Sequence, residues 1–406
     1  MDGFRTVGQA AAVSAAGAML GGRVPHSVLL AGPPSVGKHV LALDLAAALL
    51  CTGAAGADRP CRSCRGCRMV EHGNHPDLHR LAPSGAGNQI RIGEDQHPEP
   101  GTVRRLAVDL ALLPVEGGER VAVVRDAQRM NEVAQSALLK TLEEPPAATT
   151  IVLCVDDEEQ LLPTIRSRCA RIRLGTLAAR DIERLLAELG LADAPTAARL
   201  GRLAGGRPGL AVAYARSPEA EAVRGEIVRS LLDLLGQPRA GRMAASRDLL
   251  SRAMALAAAL DPASPVAPEP PRRRARGQGA AAGVATPRVA GGDQAAASTD
   301  DAGTDGDAAQ GKASAADRRR GVALLLDLWR DIARDLACVE RDASATVRDV
   351  ALLEEIEGAA RRLPPGAASE SLSRLIRAGE LLEVNVTPEL LLDVLLLRWP
   401  GQRLAA

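Results

Sequence analysis

The chain contains 406 residues, of which 46% are hydrophobic and 25% are charged. That length exceeds what one hydrophobic core usually organises, so we expect two or three domains. Phenylalanine, tyrosine and tryptophan together make up only 1% of the residues, which argues against modules that bind single strands by stacking bases on aromatic rings. Fifty basic and fifty acidic side chains cancel, so any contact with nucleic acid is expected to be local or shared with partner chains.

The amino-terminal segment, residues 1–20, lacks the basic start and the dense apolar run of a secretory signal and is predicted to form a helix. Nowhere does the sequence hold the roughly 18 to 20 consecutive apolar residues that span a bilayer. We therefore expect a cytoplasmic protein with no membrane segment.

The order of predicted elements changes near residue 175. Residues 3–174 alternate short β-branched runs with helical stretches, which is typical of a parallel α/β sheet, and the clearest strands are 27–31, 121–124 and 150–155. Beyond this region only helices are predicted. They cover residues 178–189, 196–203, 222–260, 321–338, 346–362, 369–384 and 388–397.

Residues 261–317 interrupt the helical part of the chain. Pro, Gly, Ala, Ser and Asp dominate this stretch, and valine is its only sizeable apolar residue. Such a composition cannot bury enough surface to offset the entropy of ordering, so we predict a disordered, low-complexity insertion. The predicted domains are then residues 1–175, residues 176–221, and a helical domain made of 222–260 and 318–406.

Residues 32–38, Gly-Pro-Pro-Ser-Val-Gly-Lys, stand between a predicted strand and a helix predicted over residues 38–50. A glycine-rich loop in this place can surround phosphate with backbone N–H groups while its lysine reaches the terminal phosphates. Gly32, Gly37 and Lys38 are therefore candidate nucleotide-binding residues. The next residue, His39, is also part of the candidate site, and it stands where such loops carry the Ser or Thr that ligates Mg²⁺. The loop is therefore degenerate at this position.

The second strand of this candidate site also departs from a hydrolytic pattern. Arg125 follows the strand predicted over residues 121–124, where a metal-binding carboxylate is needed, and Asp126 remains as a degenerate acidic residue. An arginine in that position would repel a metal ion. We therefore do not expect ATP hydrolysis by the chain. ATP binding without hydrolysis and a loop kept only for packing both stay open.

Four cysteines form a compact group in the sequence. Cys61, Cys64 and Cys67 are each separated by two residues, and Cys51 precedes them at the end of the predicted helix. The odd total of seven cysteines argues against a set of disulfides. Four thiolates complete a tetrahedral shell, so we predict a structural Zn²⁺ site, with a redox pair or incidental thiols as the alternatives. Three histidines nearby could serve as other ligands: His72, His75 and His79.

Two further segments, residues 135–146 (Gln-Ser-Ala-Leu-Leu-Lys-Thr-Leu-Glu-Glu-Pro-Pro) and 167–169 (Ser-Arg-Cys), occur together with the cysteines and with His75-Pro76-Asp77. In this combination the sequence resembles bacterial DNA polymerase III clamp-loader subunits of the AAA+ class, and among them the delta-prime family. The resemblance covers residues 7–210 with specific motifs and the remaining helices more loosely. It implies a RecA-like P-loop α/β domain with a zinc-binding insertion at residues 51–67, a helical lid and a helical collar.

The resemblance also implies a function. A delta-prime subunit is the non-motor stator of the loader, without independent catalysis, and assists ATP-driven loading of the sliding clamp onto primed DNA. The implied partners are the motor subunits gamma and tau and the delta subunit in a hetero-pentamer, together with the clamp and, through the assembly, primed DNA. Arg168 would act in trans as an arginine finger at the ATP site of a neighbouring motor subunit. The lid residue that senses nucleotide in motor subunits corresponds to Gly209 here, with Arg207 out of register.

Two other functions are compatible with parts of the sequence. The first is an ATP-hydrolysing AAA+ motor of the gamma or tau type, against which His39 and Arg125 argue. The second is a zinc-ribbon module that binds nucleic acid by itself, which the short cysteine region, its mixed charge and its lack of aromatic residues disfavour. Without the resemblance, Arg168 is interpreted as an ordinary surface arginine.

Overall fold

The computed structural model of the protein describes residues 3–85, 88–116, 118–260, 314–383 and 386–400. Within these ranges, the amino-terminal part forms a five-stranded sheet in the order β2-β3-β4-β1-β5, with every neighbouring pair parallel. The strands are β1 (Ser27–Ala31), β2 (Leu78–Leu81), β3 (Arg120–Val124), β4 (Thr149–Val155) and β5 (Ala170–Arg173). The three strands predicted from β-branched runs are confirmed. They form the centre of the sheet, where all their residues are buried.

The two edge strands, β2 and β5, lack this signal in the sequence. Strand β2 reads Leu-His-Arg-Leu and strand β5 reads Ala-Arg-Ile-Arg, with Arg171 and Arg173 exposed. Edge strands are covered on fewer sides than central strands of a parallel sheet, so they need no continuous apolar run. The alternation of side chains in the sheet places Leu30 in the apolar cluster on one face and Leu29 in the cluster on the other.

Six α-helices accompany the sheet within the described ranges. They are α1 (Ala10–Gly21), α2 (Lys38–Leu49), α3 (Arg65–Glu71), α4 (Val103–Ala111), α5 (Glu132–Glu143) and α6 (Pro163–Arg168). Helices α1, α2 and α3 contribute to the apolar cluster on one face of the sheet, and α4, α5 and α6 contribute to the other. Local signals set their starts: the side chain of Asn131, for example, accepts the N–H of Ala134 at 2.9 Å and caps α5.

From Ala179 onward the described chain is helical. The helices are α7 (Ala179–Glu188), α8 (Ala194–Leu203), α9 (Pro208–Arg216), α10 (Pro218–Asp233), α11 (Arg239–Ala244), α12 (Ser246–Ala259), α13 (Ala315–Val339), α14 (Leu353–Ala360), α15 (Ala367–Glu383) and α16 (Pro388–Arg398). All of them except α11 contribute to one hydrophobic cluster, in which the fully buried Trp329 meets Trp399 edge-on with ring centroids 5.1 Å apart. This cluster includes residues on both sides of position 221, so the division into lid and collar stays a prediction. No helix among the described residues combines the length and apolarity required to cross a bilayer.

Several predicted helices differ from the structure. The helix predicted over residues 1–20 begins only at Ala10, and the stretch 222–260 is divided between α10, α11 and α12. The prediction over residues 346–362 is wrong in its first half, where two 3₁₀ turns, Ser344–Thr346 and Val350–Leu352, precede α14. The carboxylate of Asp335 accepts the N–H groups of two residues in this stretch, Arg348 and Asp349, and thereby favours a turn. Helix α13 begins at Ala315, inside the predicted insertion, because Ser314 and Asp317 form a capping box. Residues 261–313 of that insertion lie outside the described residues.

Candidate functional site

The glycine-rich loop joins β1 to α2 at the carboxyl end of β1. Gly32 follows the strand with a φ of 154°, and a Cβ there would lie 2.1 Å from the carbonyl oxygen of Leu174, so only glycine fits. Gly37, with a φ of 103°, directly precedes α2 and makes Lys38 the first residue of that helix. The structure thus brings Gly32, Gly37 and Lys38 together in the arrangement that the motif predicts.

The Lys38 side chain turns into the loop and is almost completely buried, with the residue 7% exposed. Its ammonium group donates to the carbonyl oxygens of Gly32 at 2.7 Å and Pro33 at 2.6 Å. Its third contact is with Oδ1 of Asp156 at 2.7 Å. Asp156, directly after β4, is a site residue that the sequence motifs do not reveal. The only signal for it is an acidic residue immediately after a buried strand.

Basic side chains surround His39 beside the loop. Its Nε2 lies 3.3 Å from Nη2 of Arg80, and Arg125 also acts on the imidazole. Burial, followed by the charges of Arg80 and Arg125, lowers the pKa of His39 to about 4. The imidazole is therefore neutral at pH 7. A Mg²⁺ ion bound here would face two arginines and would receive no oxygen ligand from position 39.

The acidic residue predicted for this site, Asp126, follows β3 in the left-handed backbone region with a φ of 51°. Its Oδ2 lies 3.4 Å from Nε of Arg125. Burial, and then the charge of Asp156, raises the pKa of the Asp126 carboxyl. Both carboxylates thus belong to the carboxyl ends of neighbouring strands, the edge of a parallel sheet where ligands usually bind. Each of them is paired with a basic side chain of the protein itself.

Helix α9 begins against the glycine-rich loop. The N–H of Gly209 donates to the carbonyl oxygen of Ser35 at 2.9 Å, and a Cβ at Gly209 would lie 3.1 Å from that oxygen. The guanidinium group of Arg207 contacts α13 instead, with Nη2 3.4 Å from Oδ2 of Asp331. Gly209 is therefore the residue that meets the loop, whereas the guanidinium of Arg207 contacts α13.

The four clustered cysteines come together at the carboxyl end of α2. The Sγ atoms of Cys51, Cys61, Cys64 and Cys67 all lie within 4.8 Å of one another. The Sγ atoms of Cys51 and Cys64 are 3.9 Å apart, close to the ~3.8 Å edge of a tetrahedron with Zn–S bonds of about 2.3 Å. Cys51 and Cys67 are buried and the other two are half-buried. The cluster therefore fits a closed four-sulfur metal site.

Hydrogen bonds around the cluster favour thiolates on the two half-buried cysteines. Those from the hydroxyl and N–H groups of Ser63, followed by the N–H of Cys64, lower the pKa of Cys61 to about 7. In Cys64, burial opposes ionisation, but hydrogen bonds from the N–H groups of Cys67 and Thr52 outweigh it, and the pKa falls to about 5. Burial raises the pKa of the Cys67 thiol. A bound metal would have to displace that proton, as metal coordination does for thiols in general.

The three histidines near the cysteines do not join the sulfur cluster within the described residues. Nδ1 of His75 accepts the N–H of Asp77 at 3.1 Å, and Nδ1 of His72 lies 2.7 Å from the carbonyl oxygen of Arg68. His79 lies in β2. The cysteine module is instead attached to α2 through the buried carboxylate of Asp44, which pairs with Arg62. These positions leave the four sulfurs as the candidate ligands.

Arg168 is the last residue of α6 and is exposed, with 38% of its side chain accessible to solvent. Its guanidinium group contacts Oε1 of Glu143 at 2.7 Å and the carbonyl oxygen of Thr164 at 3.0 Å. Its own carbonyl accepts the hydroxyl of Ser27 at 2.8 Å, at the start of β1. The glycine-rich loop follows the other end of β1, a strand of five residues or about 15 Å. Arg168 therefore lies beside the amino-terminal end of β1, whereas the chain's own glycine-rich loop follows the carboxyl end of that strand.

These features define a class of protein. A parallel sheet of this order, with a glycine-rich loop between β1 and α2 and a following helical region that contacts the loop through α9, is a RecA-like P-loop domain of the AAA+ class. The four-cysteine module is an insertion after α2 of that domain.

Comparison with known proteins shows which proteins this domain resembles. Residues 11–178 match the family model described as "DNA polymerase III, delta subunit". The chain is 38% identical over 156 residues to DNA polymerase III subunit delta' of Pseudomonas aeruginosa, covering 37% of this chain and 44% of that protein. It is 36% identical over 196 residues to the Escherichia coli subunit of the same name, covering 47% of this chain and 55% of that protein. The matched region is therefore similar to DNA polymerase III delta' subunits over roughly the first half of this chain.

Other relatives are more distant. The chain is 32% identical over 183 residues to DNA polymerase III subunit tau of Salmonella typhimurium, covering 44% of this chain and 27% of that protein. A DNA polymerase III gamma subunit-related protein from Thermotoga maritima, of known structure, aligns over 95% of this chain and 97% of its own at 17% identity, with a TM-score of 0.36. The chain spans about half the length of the delta' proteins it matches.

Proposed function

We propose that this chain is a non-motor, stator subunit of the DNA polymerase III clamp loader, which assists ATP-driven loading of the sliding clamp onto primed DNA. The observation that carries the proposal is the state of the glycine-rich loop. The Lys38 ammonium already donates hydrogen bonds to the loop and to Asp156. The place where an ATPase needs metal ligands is occupied by His39, Arg80 and Arg125. A site without a free lysine and with cations in place of Mg²⁺ ligands is unsuited to phosphoryl transfer.

Arg168 carries the second part of the proposal, a trans arginine finger. Its position beside the amino-terminal end of β1, away from the chain's own loop and with partial exposure, suits a side chain that acts on a neighbouring subunit. Glu143 and the carbonyl of Thr164 hold the guanidinium in the isolated chain. We infer that in the assembly this group exchanges Glu143 for the phosphates of the ATP bound by a gamma or tau neighbour, where such arginines stabilise the charge of the transition state.

The third part of the proposal concerns the metal. Zn²⁺ suits the four clustered sulfurs, since four thiolates saturate its tetrahedral shell and leave no position for substrate. The role would be structural: the metal would hold the segment after α2 in place and would not take part in ATP chemistry. Native mass spectrometry of the full chain should show one zinc ion, which Cys64→Ser removes and which Cys338→Ser, outside the cluster, leaves bound. A zinc-free wild-type chain would contradict this assignment.

The decisive experiment reconstitutes the chain with motor and delta subunits, the sliding clamp and primed DNA, and measures DNA-stimulated ATP turnover and clamp loading. We expect no turnover by the chain alone, and loss of turnover at one motor site with Arg168→Ala while the assembly stays intact. Arg171→Ala is the matched control, because Arg171 is similarly exposed, lies close by in β5 and also contacts a glutamate. Unchanged turnover with Arg168→Ala would remove the finger. Turnover by the isolated chain that Lys38→Ala abolishes would establish the motor alternative.

A further inference from the structure

The Lys38 ammonium group has no hydrogen bond to offer a phosphate. An ammonium group carries three N–H donors. In this structure they point to three acceptors, the carbonyl oxygens of Gly32 and Pro33 and the carboxylate of Asp156, at 2.6 to 2.7 Å. Two of these acceptors belong to the loop that would surround the phosphate. The third, Asp156, is an anion that the chain supplies itself.

Asp156 is held in this position from both sides. It directly follows β4, the strand next to β1, and the N–H of Gly32 donates to the carbonyl of the preceding residue, Val155, at 3.2 Å. While Oδ1 contacts Lys38, Oδ2 accepts the side-chain amide of Gln128 at 3.2 Å. The backbone N–H of Asp156 in turn donates to Oε1 of Gln128 at 3.4 Å. The carboxylate is therefore oriented toward the loop by contacts on either side of it.

We propose that Asp156 is an internal anion that takes the place of a nucleotide phosphate at Lys38, so that the loop is a latent triphosphate site closed by this ion pair. A triphosphate could bind only by displacing the carboxylate from Lys38 while remaining close to it. Like charges at contact distance in a partly buried site repel strongly. The closing group is thus one side chain, and its neutralisation should open the site.

The glycine-rich loop is also held by a contact with the start of α9. The carbonyl oxygen of Ser35 accepts the N–H of Gly209 at 2.9 Å, so the start of α9 lies directly on the segment whose backbone would surround the phosphates.

This inference concerns nucleotide binding by the single chain and does not rest on the assembly proposed above. Failure of the clamp-loader assignment would leave it standing, and its own failure would leave that assignment intact.

Isothermal titration calorimetry on the full chain tests the proposal, with Mg-ATP and inorganic triphosphate as the two probes. Asp156→Asn is expected to bind ATP at least tenfold more tightly than the wild type, a gain of about 1.4 kcal/mol. Asp157→Asn is the matched control, because it removes the same charge from the next, exposed residue and should change nothing. The double variant Asp156→Asn/Lys38→Ala should lose the gain, since the freed lysine is what holds the phosphate.

Two results would overturn the proposal. One is a wild-type chain that already binds ATP as tightly as Asp156→Asn. The other is a folded Asp156→Asn variant, checked by thermal unfolding, that gains no affinity for either probe. If the amide variant does not fold, Asp156→Ser replaces it, because a serine side chain is polar and uncharged and is too short to keep the carboxylate's contact with Lys38. The same tenfold gain is then required of that variant.

Discussion

Asp77→Asn is expected to lower the free energy of unfolding by about 1.5–3 kcal/mol, because it removes one charge-assisted hydrogen bond from a buried site. The Asp77 carboxylate is fully buried and accepts the N–H groups of Val115 at 2.7 Å and Glu116 at 2.9 Å. It also lies 3.9 Å from the guanidinium of Arg120, which donates to three carbonyls of the same region. An asparagine offers one oxygen where the aspartate offers two, so one N–H loses its acceptor.

The assay is urea denaturation, combined with hydrogen exchange at the amides of Val115 and Glu116. We expect faster exchange at one or both amides, since Asp77 holds the segment that displays the exposed side chains of Leu113 and Val115. Asp109→Asn is the matched control. Its carboxylate is more exposed and forms an i,i+4 pair with Arg105, which is worth about 0.3–0.5 kcal/mol. If the two variants lost equal stability, the reasoning about Asp77 would be refuted.

Three other perturbations have defined outcomes. The pKa of His39 is lowered to about 4, against about 6.5 in an unfolded chain. As pH falls, the unfolded state therefore binds the proton first, and stability decreases between about pH 6.5 and 4. His39→Gln should flatten this part of a plot of the urea midpoint against pH. Ser35 has a φ of 61°, so Ser35→Gly should raise stability by about 0.5–1 kcal/mol in thermal unfolding, whereas Ser35→Ala should not. Asp349→Ala should cost about 3–5 kcal/mol in urea denaturation, because it leaves the buried Arg224 without its partner at 2.5 Å.

Each of these three predictions has its own contrary result. An unchanged pH profile in the His39 variant would mean that other groups dominate acid sensitivity. Equal stability of the glycine and alanine variants at position 35 would show that the loop relaxes without cost. For the buried ion pair, the double variant Arg224→Met/Asp349→Leu should recover most of the loss, because two apolar side chains leave no unpaired charge. A double variant as unstable as Asp349→Ala would contradict the electrostatic account.

The sequence predicted most about elements whose signals are local. The glycines and lysine of residues 32–38 lie between a buried strand and a helix, and the positive φ values at Gly32 and Gly37 are what glycine permits at low cost. The spacing of Cys61, Cys64 and Cys67 likewise places three of the four sulfurs in one short segment. The central strands were predicted well because buried parallel strands need continuous β-branched runs. The edge strands were missed because they need no such run. The broken helix before α14 was missed because the carboxylate of Asp335, on the preceding helix, accepts N–H groups there.

The amino-acid sequence by itself therefore determined the presence of the phosphate loop, of the cysteine cluster and of the family motifs, since each depends on residues that are neighbours along the chain. Only the tertiary structure decided what these features contact. Asp156 is 118 positions from Lys38 in the chain, and the parallel pairing of β1 with β4 brings the two together. The same sheet separates Arg168 from the loop by the length of β1. The carboxyl ends of parallel strands meet at one edge, so the order of strands in the sheet selects which side chains share a site.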